Sequence, residues 1–329
     1  MAKLKLTLAV ADYPRVMPLA LPAAAGGVAP EGVDLSLIMG RDGSWPERAA
    51  ILGRVMNDAT VHGGEGSLAQ HYRRIDQGDR RFVGLPVFVL RGFAARDLYV
   101  RQGGPVKSVA DLAGKRVGMY SWVASGSVWY RHLQRHLGVP VAAVNWVIGD
   151  IEGAGETPPA PDLPPGVQAA PKGRFLAEML EAGELDAIWS PPRPTRYHPT
   201  KGPLVRLLPD MRAVETTYYN TFKFYPPVHL VVLRREVWEA NNWLAAAVTT
   251  AFDRADARFA AMQSGFPYAL PWEEAEREAT EALMGTDYHA NGVAPNRAAL
   301  EAFAAMAHDL GVTSRHVKLE DAFAEVLSA

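Results

Sequence analysis

The chain has 329 residues, with 34 Lys or Arg against 36 Asp or Glu, which gives a formal net charge of −2. A nearly neutral chain has no global attraction for nucleic acid or an anionic membrane, and we expect neither as a partner. The chain has no cysteine, which excludes disulfides, thiol nucleophiles and thiolate metal sites. Its length and its apolar fraction of 48% predict two globular domains.

Short apolar segments alternate with helical ones along most of the chain, a pattern typical of βα units and parallel sheets. At the start, Lys3 and Lys5 alternate with leucines. A signal peptide would have a continuous apolar stretch here, so we expect a first strand and a cytoplasmic protein. The predicted strands are residues 4–10, 33–39, 59–62, 82–89, 97–100, 116–119, 143–148, 187–190 and 229–233.

Helical patterns lie between these strands and dominate the C-terminal part. Residues 153–171 are rich in proline and glycine, which predicts a long surface loop. The predicted helices are residues 46–56, 67–77, 109–113, 125–138, 175–182, 236–263, 272–284 and 296–310. We therefore expect a discontinuous lobe I (residues 1–100 and 215–329) and a lobe II (residues 101–214), with a hinge and an interlobe cleft for the ligand.

Several segments resemble known sequences. Ala110–Gly118 is similar to the segment that opens the second lobe of many type II solute-binding proteins, which implies a two-lobed α/β fold of the type II periplasmic-binding-protein kind. Further segments resemble the 4,5-dihydroxyphthalate decarboxylase family over nearly the whole chain, although residues 61–68, 91–96 and 120–125 depart from its pattern. The segments that carry this second resemblance are Asp12–Arg15, Pro30–Leu35, Leu85–Phe88 with Arg91, Val128–Arg131, Met179–Ile188 with Ser190-Pro191, Tyr218–Tyr219, Pro227–Val232 with His229, and Leu283–Asp287 with Asn296-Arg297.

The resemblance implies a lyase that removes CO₂ without oxidation from a hydroxylated aromatic dicarboxylate such as 4,5-dihydroxyphthalate, giving protocatechuate. The small aromatic carboxylate is then the partner, and no organic cofactor is expected. Two alternatives stay open on this fold: a solute-binding protein for a small organic anion, and another lyase or isomerase. The oligomeric state stays open too, with a homo-oligomer as the alternative to a monomer.

Decarboxylation requires a proton at the ring carbon that loses CO₂, and His229 is the histidine we favour for this transfer. It begins a predicted strand near the presumed hinge. Glu65 and Asp12 are the candidate carboxylates, either to accept a catechol proton or to act with His229. The alternative is structural: a histidine beside an apolar strand, and two acidic residues in turns or caps.

Carboxylate groups call for arginine, because its planar guanidinium binds them in a bidentate manner. Arg15 and Arg91 follow predicted strands, and in open α/β sheets ligands bind beyond the carboxyl ends of strands. Both are therefore candidate substrate anchors, with a surface position or an interlobe ion pair as the alternative.

The segment after the strand at 116–119 opens a helix, and free N–H groups at a helix start bind anions. Ser121, Trp122, Ser125 and Ser127 lie there as candidate substrate contacts. Ser125 alternatively serves only as the N-cap.

Three more candidate contacts lie later in the chain. Ser190 and Arg193 flank a rigid Pro-Pro turn, where Arg193 meets either the ligand or a loop. Tyr219, together with Trp122, would supply a flat aromatic surface.

A metal site has little support. His62 and Glu65 form a His-x-x-Glu pair outside any predicted helix, and a third ligand is not evident. We expect no metal, while a divalent ion held by these two residues stays open.

Overall fold

The computed structural model describes residues 3–40, 44–153, 163–264 and 270–324. The strands are β1 Leu4–Ala9, β2 Val33–Ile38, β3 Gly63–Ser67, β4 Phe82–Arg91, β5 Leu98–Arg101, β6 Arg116–Met119, β7 Asn145–Ile148, β8 Gln168–Ala169, β9 Ala187–Trp189, β10 Leu204–Arg206 and β11 Pro227–Arg234. The helices are α1 Met17–Ala20, α2 Trp45–Asn57, α3 Leu68–Asp76, α4 Ser125–His136, α5 Leu176–Glu181, α6 Met211–Phe222, α7 Arg235–Ala240, α8 Leu244–Gln263, α9 Glu273–Met284, α10 Val293–Asp309 and α11 Leu319–Ala322.

The chain divides into two compact units, each with its own sheet. Unit 1 comprises Met1–Arg91, Phe224–Ala305 and Thr313–Ala329, and unit 2 comprises Gly92–Lys223 and Met306–Val312. The predicted boundaries between lobe I and lobe II were after residues 100 and 214 instead. The first boundary falls earlier because β5 pairs with β9 and β10, which places it in the sheet of unit 2.

The sheet of unit 1 has the order β2-β1-β3-β11-β4. β1 runs parallel to β2 and β3, whereas β11 is antiparallel to β3 and β4, so this sheet combines the predicted parallel strands with an antiparallel one. Leu6 and Leu8 of β1 are buried against Val231 of β11 and Phe252 of α8 in one apolar core. Pro86 is tolerated within β4 because β4 is the last strand of the order, and in the described ranges its outer side makes only the isolated bridge between Gly84 and Phe323.

The sheet of unit 2 has the order β10-β5-β9-β6-β7-β8. The central pairs β6–β7 and β6–β9 are parallel, and β5 is antiparallel to both of its neighbours. Tyr99, Val147, Leu180 and Ile188 are buried in the core of this unit. The sheet thus has the βα arrangement that the alternating pattern predicted, with antiparallel strands added at one side.

Several predicted elements need correction. The strand expected at residues 59–62 lies at Gly63–Ser67, because glycines carry no strand signal of their own. The long helix expected over 236–263 is interrupted after Ala240 and resumes at Leu244. Strands β8 and β10 and helices α1, α6 and α11 were not predicted. Residues 154–162 of the predicted loop lie outside the described residues. Within the described ranges, no helix is long and apolar enough to cross a membrane.

Candidate functional site

Glu65 and His229 form a buried pair at the centre of the sheet of unit 1. They lie on the adjacent antiparallel strands β3 and β11, where His229 is opposite Ser67 and Val231 is opposite Glu65. Because residues two apart on a strand share a face, the two side chains are diagonal neighbours. His229 Nδ1 lies 2.5 Å from Glu65 Oε1. The structure therefore brings together two of the three residues predicted for proton transfer.

The carboxylate of Glu65 is fully engaged. Its side chain is 1% exposed, against 18% for His229. Oε1 also accepts a hydrogen bond from the hydroxyl of Tyr13 at 2.7 Å, and Oε2 accepts one from the backbone N–H of Ala11 at 2.8 Å. Burial by itself raises the pKa of Glu65, but the hydrogen bonds from His229, Tyr13 and Ala11 together lower it below its usual value. Glu65 is consequently an anion at neutral pH.

This anion fixes how the imidazole is used. An ionised carboxylate only accepts hydrogen bonds, so Nδ1 of His229 donates its proton to Glu65. In the described part of the chain, Nε2 of His229 has no hydrogen-bond partner. The pair therefore leaves Nε2 as the nitrogen that can exchange a proton with a ligand, in the manner of a histidine oriented by a carboxylate.

Two glycines let β3 fit between β1 and β11. A Cβ atom at Gly64 would lie 2.0 Å from the carbonyl oxygen of Ala9, and one at Gly63 would lie 2.3 Å from that of Val232. Gly64 also has a φ of +144°, a backbone conformation that residues with a side chain rarely adopt. Gly63 and Gly64 are thus the residues that allow the Glu65 strand to pack closely between its neighbours.

Tyr13 and Asp12 follow β1 and differ in their roles. Burial, followed by the charge of Glu65, raises the pKa of Tyr13, so the phenol stays protonated and donates to Glu65. Asp12 lies 3.5 Å from Arg48 Nε, as a partly exposed ion pair. The expectation that Asp12 acts with His229 has no support among the described contacts, which bring Tyr13 to Glu65 instead.

Arg15 is bound within unit 1 by an internal carboxylate. Its Nη1 lies 3.0 and 2.9 Å from the two oxygens of Asp256, and its Nη2 donates to the carbonyl oxygens of Phe88 and Val89. Burial raises the pKa of Asp256 to about 6, against the opposing effect of Arg15. Arg15 would bind a substrate carboxylate only by exchanging these partners, so its role as an anchor stays a prediction.

Arg91 is deeply buried, with 7% of its surface exposed. Its guanidinium donates to the carbonyl oxygens of Tyr225 and Ala290 and to Oδ1 of Asn296. Burial, with a smaller effect from Arg15, lowers its pKa to about 9. These contacts tie the end of β4 to the residue segment before β11 and to α10. Among the described contacts Arg91 is therefore neither at the surface nor in an interlobe ion pair, and its role as an anchor stays a prediction.

Unit 2 contains the predicted turn before α4. Ala124 is the N-cap and makes no side-chain capping bond, whereas Ser125 is the first helical residue. The alternative of Ser125 as N-cap is therefore wrong. Ser125 and Ser127 are buried and Ser121 is half-buried. Trp122 is 6% exposed and donates from Nε1 to the carbonyl oxygen of Leu310 at 2.9 Å. The ring of Trp122 is thus part of the core of unit 2.

The remaining candidates of unit 2 are spread over it. Ser190 is buried and its hydroxyl donates to the carbonyl oxygen of Pro192. Arg193 is exposed, with its guanidinium 5.9 Å from the ring centre of Tyr197. Tyr219 on α6 is half-buried beneath Lys223. Their contacts with a substrate stay predictions.

His62 and Glu65 do not share a metal-binding group. His62 Nδ1 accepts a hydrogen bond from the backbone N–H of Thr7 at 2.8 Å, while Glu65 pairs with His229. Among the described residues, no group of three or more His, Cys, Asp or Glu side chains is arranged to hold a metal ion.

Sequence reasoning did not single out Tyr13 or Asp256. Tyr13 lies within the segment Asp12–Arg15, which carried the family resemblance, and that resemblance was the available signal for it. Asp256 lies on a helix far along the chain and had no signal of its own.

Comparison with known proteins connects this geometry to a family. The chain is 30% identical to the 4,5-dihydroxyphthalate decarboxylase of Comamonas testosteroni, over 98% of this chain and 97% of that protein. It is 32% identical to the 4,5-dihydroxyphthalate decarboxylase of Pseudomonas putida, over 68% of this chain and 84% of that one. No protein-family model matches the chain.

Solved structures show the fold. The periplasmic aliphatic sulphonate binding protein SsuA from Escherichia coli has a TM-score of 0.50 at 15% identity, and 98% of each chain is covered. The alkanesulfonate-binding protein SsuA from Xanthomonas axonopodis pv. citri has a TM-score of 0.51 at 11% identity, and 96% of each chain is covered. The predicted type II periplasmic-binding-protein-like fold is confirmed, and the full-length sequence similarity shows that the chain belongs to the 4,5-dihydroxyphthalate decarboxylase family.

Proposed function

We propose that this protein is a carboxy-lyase that converts 4,5-dihydroxyphthalate, or a closely related hydroxylated aromatic dicarboxylate, to protocatechuate and CO₂. The observation that carries the proposal is the buried Glu65–His229 pair, supported by Tyr13, in a chain with the family's full length. A binding protein has no need of an imidazole whose tautomer is fixed by a buried anion. A general acid or base does.

The reaction exchanges a carboxylate for a proton at one ring carbon. Electron density from a ring hydroxyl, partly deprotonated, raises the basicity of the carbon that bears the carboxylate. A general acid adds a proton to that carbon. The C–C bond to the carboxylate then breaks, its electron pair returns to the ring, and CO₂ leaves. One proton is consumed for each CO₂ released, and no oxidant or reductant takes part.

His229 is the group that moves the proton in this scheme. The step starts from the doubly protonated imidazole, in which Nδ1–H is bound to Glu65 and Nε2–H faces the ligand. Nε2 passes its proton to the ring carbon, which leaves the neutral imidazole with its proton on Nδ1, and Nε2 is protonated again before the next turnover. Glu65 holds the ring orientation and the tautomer. Tyr13 holds Glu65 in turn, because its hydroxyl shares Oε1 with the imidazole. These are positioning roles for Glu65 and Tyr13 and a catalytic role for His229.

The test is to incubate the purified protein with 4,5-dihydroxyphthalate, with and without a chelator, and to follow protocatechuate by chromatography. We expect product in both cases. General acid–base groups contribute about 10²–10⁴ in rate, so His229→Gln is expected to lower kcat by about 100-fold or more. The matched control is His198→Gln, because His198 is exposed and accepts hydrogen bonds only from its own turn.

The outcomes separate the alternatives. If His229→Gln formed product at the wild-type rate, the Glu65–His229 pair would no longer support the proposed function. Thermal stabilisation by the acid without any product would move the assignment to a solute-binding protein. Product that disappears with chelator would call for a metal, with His62 and Glu65 as the first ligands to mutate.

The proposal extends to the setting of the enzyme. The protein acts in the cytoplasm on a small aromatic carboxylate, without an organic cofactor and without nucleic acid or membrane as a partner. Its nearly neutral net charge supports the last two points. Cell fractionation followed by immunodetection tests the location.

A further inference from the structure

Arg48 lies at the same edge of the sheet of unit 1 as the Glu65–His229 pair. β1 and β3 are parallel and both end at this edge, and the antiparallel β11 begins there, with His229 near its start. β2 is parallel to β1, so the chain leaves β2 at this edge too and α2 starts beside it. Arg48 lies in the first turn of α2, which packs against β1 and β3. The fold of unit 1 therefore brings this cation to the edge at which open α/β sheets bind ligands.

The guanidinium of Arg48 is in contact with the residues that follow β1. Its carbon lies 5.4 Å from the ring centre of Tyr13, a cation–π contact, and Tyr13 in turn donates its hydroxyl to Glu65. Nε of Arg48 lies 3.5 Å from Oδ1 of Asp12, an ion pair in which neither atom has a hydrogen-bond partner among the described residues. Tyr13 and Asp12 thus hold one face and one edge of the guanidinium beside the residue that supports the catalytic pair.

The other edge of this guanidinium has donors to spare. The side chain of Arg48 is 40% exposed although its Nε is buried, and Nη1 and Nη2 donate to no residue in the described ranges. The two arginines that the sequence suggested as anchors differ. Arg15 is occupied by Asp256, and Arg91 by Asn296 and backbone carbonyl oxygens. The planar fork of Nη1 and Nη2 in Arg48 has the geometry that binds a carboxylate in a bidentate manner.

The two carboxylates of the proposed substrate place opposite demands on a cation. The carboxylate that leaves as neutral CO₂ loses its charge in the transition state. An ion pair to it would stabilise the bound substrate more than the transition state and would slow the reaction. The carboxylate that stays on the ring keeps its charge throughout, so an ion pair to it orients the ring without this loss. A cation beside the catalytic pair is therefore useful at the carboxylate that stays.

We propose that Arg48 binds the carboxylate that stays on the aromatic ring, through its Nη1 and Nη2 groups, and thereby selects aromatic acids that carry a second carboxylate. Tyr13 and Asp12 hold the guanidinium in place, and His229 remains the group that moves the proton. This inference deepens the proposed function and rests on it, because the proposed reaction supplies a substrate with one carboxylate that leaves and one that stays.

The experiment compares two ligands that differ in charge at a single group. Protocatechuate is the proposed product and keeps the carboxylate that stays, whereas 3,4-dihydroxybenzamide has an uncharged amide in its place. Isothermal titration calorimetry gives Kd of both ligands for the wild type, Arg48→Lys and Arg48→Met. The lysine keeps the charge but loses the planar fork, and the methionine loses both. Arg54→Met is the matched control, because Arg54 is exposed in the last turn of the same helix.

We expect the wild type to bind protocatechuate about tenfold or more tightly than the amide, the factor typical of hydrogen bonds between charged groups. Arg48→Met should lose this preference because it binds protocatechuate more weakly, with its affinity for the amide little changed. Arg48→Lys should keep part of the preference and Arg54→Met all of it. In turnover of 4,5-dihydroxyphthalate, Arg48→Met should raise KM more than it lowers kcat, because His229 moves the proton.

A purely structural role of Arg48 would give a different result. It would weaken the binding of both ligands by the same factor and leave the preference for the acid unchanged. A wild-type preference in Arg48→Met therefore overturns the proposal, whether the two affinities are retained or reduced together. If Arg48→Met does not fold by circular dichroism, or binds neither ligand, Arg48→Lys decides: a preference reduced about threefold or more supports the proposal, and an unchanged preference overturns it.

The proposed function is tested separately by the same proteins. A wild type that prefers protocatechuate to the amide but forms none from 4,5-dihydroxyphthalate refutes only the proposed function. A wild type that forms protocatechuate but binds it no more tightly than the amide, or binds neither ligand, overturns only the role of Arg48.

Discussion

Replacing Glu65 by Gln tests the buried pair with the smallest change of shape. The side chain accepts three hydrogen bonds, two on Oε1 from Tyr13 and His229 and one on Oε2 from Ala11. An amide has one oxygen, so it can keep the bond from Ala11 only by turning its NH₂ group toward Tyr13 and His229. The NH₂ group donates, and Nδ1 of His229 must then become an acceptor. Its proton moves to Nε2, which reverses the tautomer that the carboxylate selects.

The expected loss follows from the contacts that change. Hydrogen bonds to charged groups contribute about 1.5–3 kcal/mol each, and breaking a buried pair costs about 3–5 kcal/mol. Removing the desolvated charge offsets part of this, since burial opposes ionisation of Glu65. We expect Glu65→Gln to lower the free energy of unfolding at pH 7 by about 2–3 kcal/mol. At about 2–4 °C for each kcal/mol in a domain of 150–250 residues, Tm falls by about 4–12 °C.

The loss should depend on pH with a definite sign. The folded pKa of Glu65 lies below its ordinary value of 4.5. The stability that its charge contributes is therefore fully present above pH 4.5 and disappears as the pH falls through the lower, folded-state pKa. Urea unfolding of the wild type and Glu65→Gln between pH 7 and pH 3 should show two curves that converge in the acid range.

An exposed carboxylate provides the control. Glu184 pairs with Arg174 and its side chain is 39% exposed. Exposed ion pairs contribute about 0–1 kcal/mol, so Glu184→Gln should follow the wild type throughout. The reasoning is refuted if Glu65→Gln is as stable as the wild type at pH 7, or if their difference does not shrink toward pH 3. In the decarboxylase assay, Glu65→Gln should lose about 100-fold or more in kcat, because an amide that donates to Nδ1 cannot stabilise the doubly protonated imidazole that supplies the proton.

Two further predictions concern stability. Burial raises the pKa of Glu215 to about 7, although the hydrogen bond from the Ala95 N–H opposes this shift. Ionising Glu215 in the folded protein therefore lowers the free energy of unfolding as the pH rises from 4.5 through 7. Glu215→Gln should therefore be more stable than the wild type at pH 8, by up to about 3 kcal/mol, and no more stable at pH 4. A constant difference in urea midpoints would contradict this. Gly64→Ala should prevent folding or lower Tm sharply, because its Cβ meets the oxygen of Ala9. By contrast, Gly53→Ala should raise the free energy of unfolding by about 0.5–1 kcal/mol, because Gly53 lies within α2 and a Cβ atom there would meet no other group within 4 Å.

The sequence determined the elements whose patterns depend on neighbouring residues. Alternation around Leu6 and Leu8 predicted β1 because each leucine faces the core of unit 1. The segment 116–119 was predicted with its observed bounds, since its apolar residues are buried in the middle of a sheet. Family segments distributed along the whole chain predicted the fold, and the fold is the one observed.

Local patterns failed where packing overrides composition. Gly63–Ser67 has no strand propensity, yet it forms β3 because only a strand with almost no side chains fits between β1 and β11. The helix expected over 236–263 is interrupted at Asn241–Trp243. The break falls at Asn241 and Asn242, whose residue type is a weak helix former, and the alanine-rich composition of the residues that follow hid this local signal.

The site shows the same division. His229, Glu65 and the arginines could be selected by residue type, because imidazole, carboxylate and guanidinium have chemistry that the reaction needs. Their partners could not be selected, since Glu65 meets a histidine 164 positions away and Arg15 meets an aspartate 241 positions away. Hydrogen bonds form between groups that the fold places within about 3 Å. The register of β3 against β11 brings Glu65 to His229, and the packing of α8 beside residues 14–16 brings Asp256 to Arg15. The sequence therefore determined the chemical groups of the site, and the tertiary structure decided which of them act together.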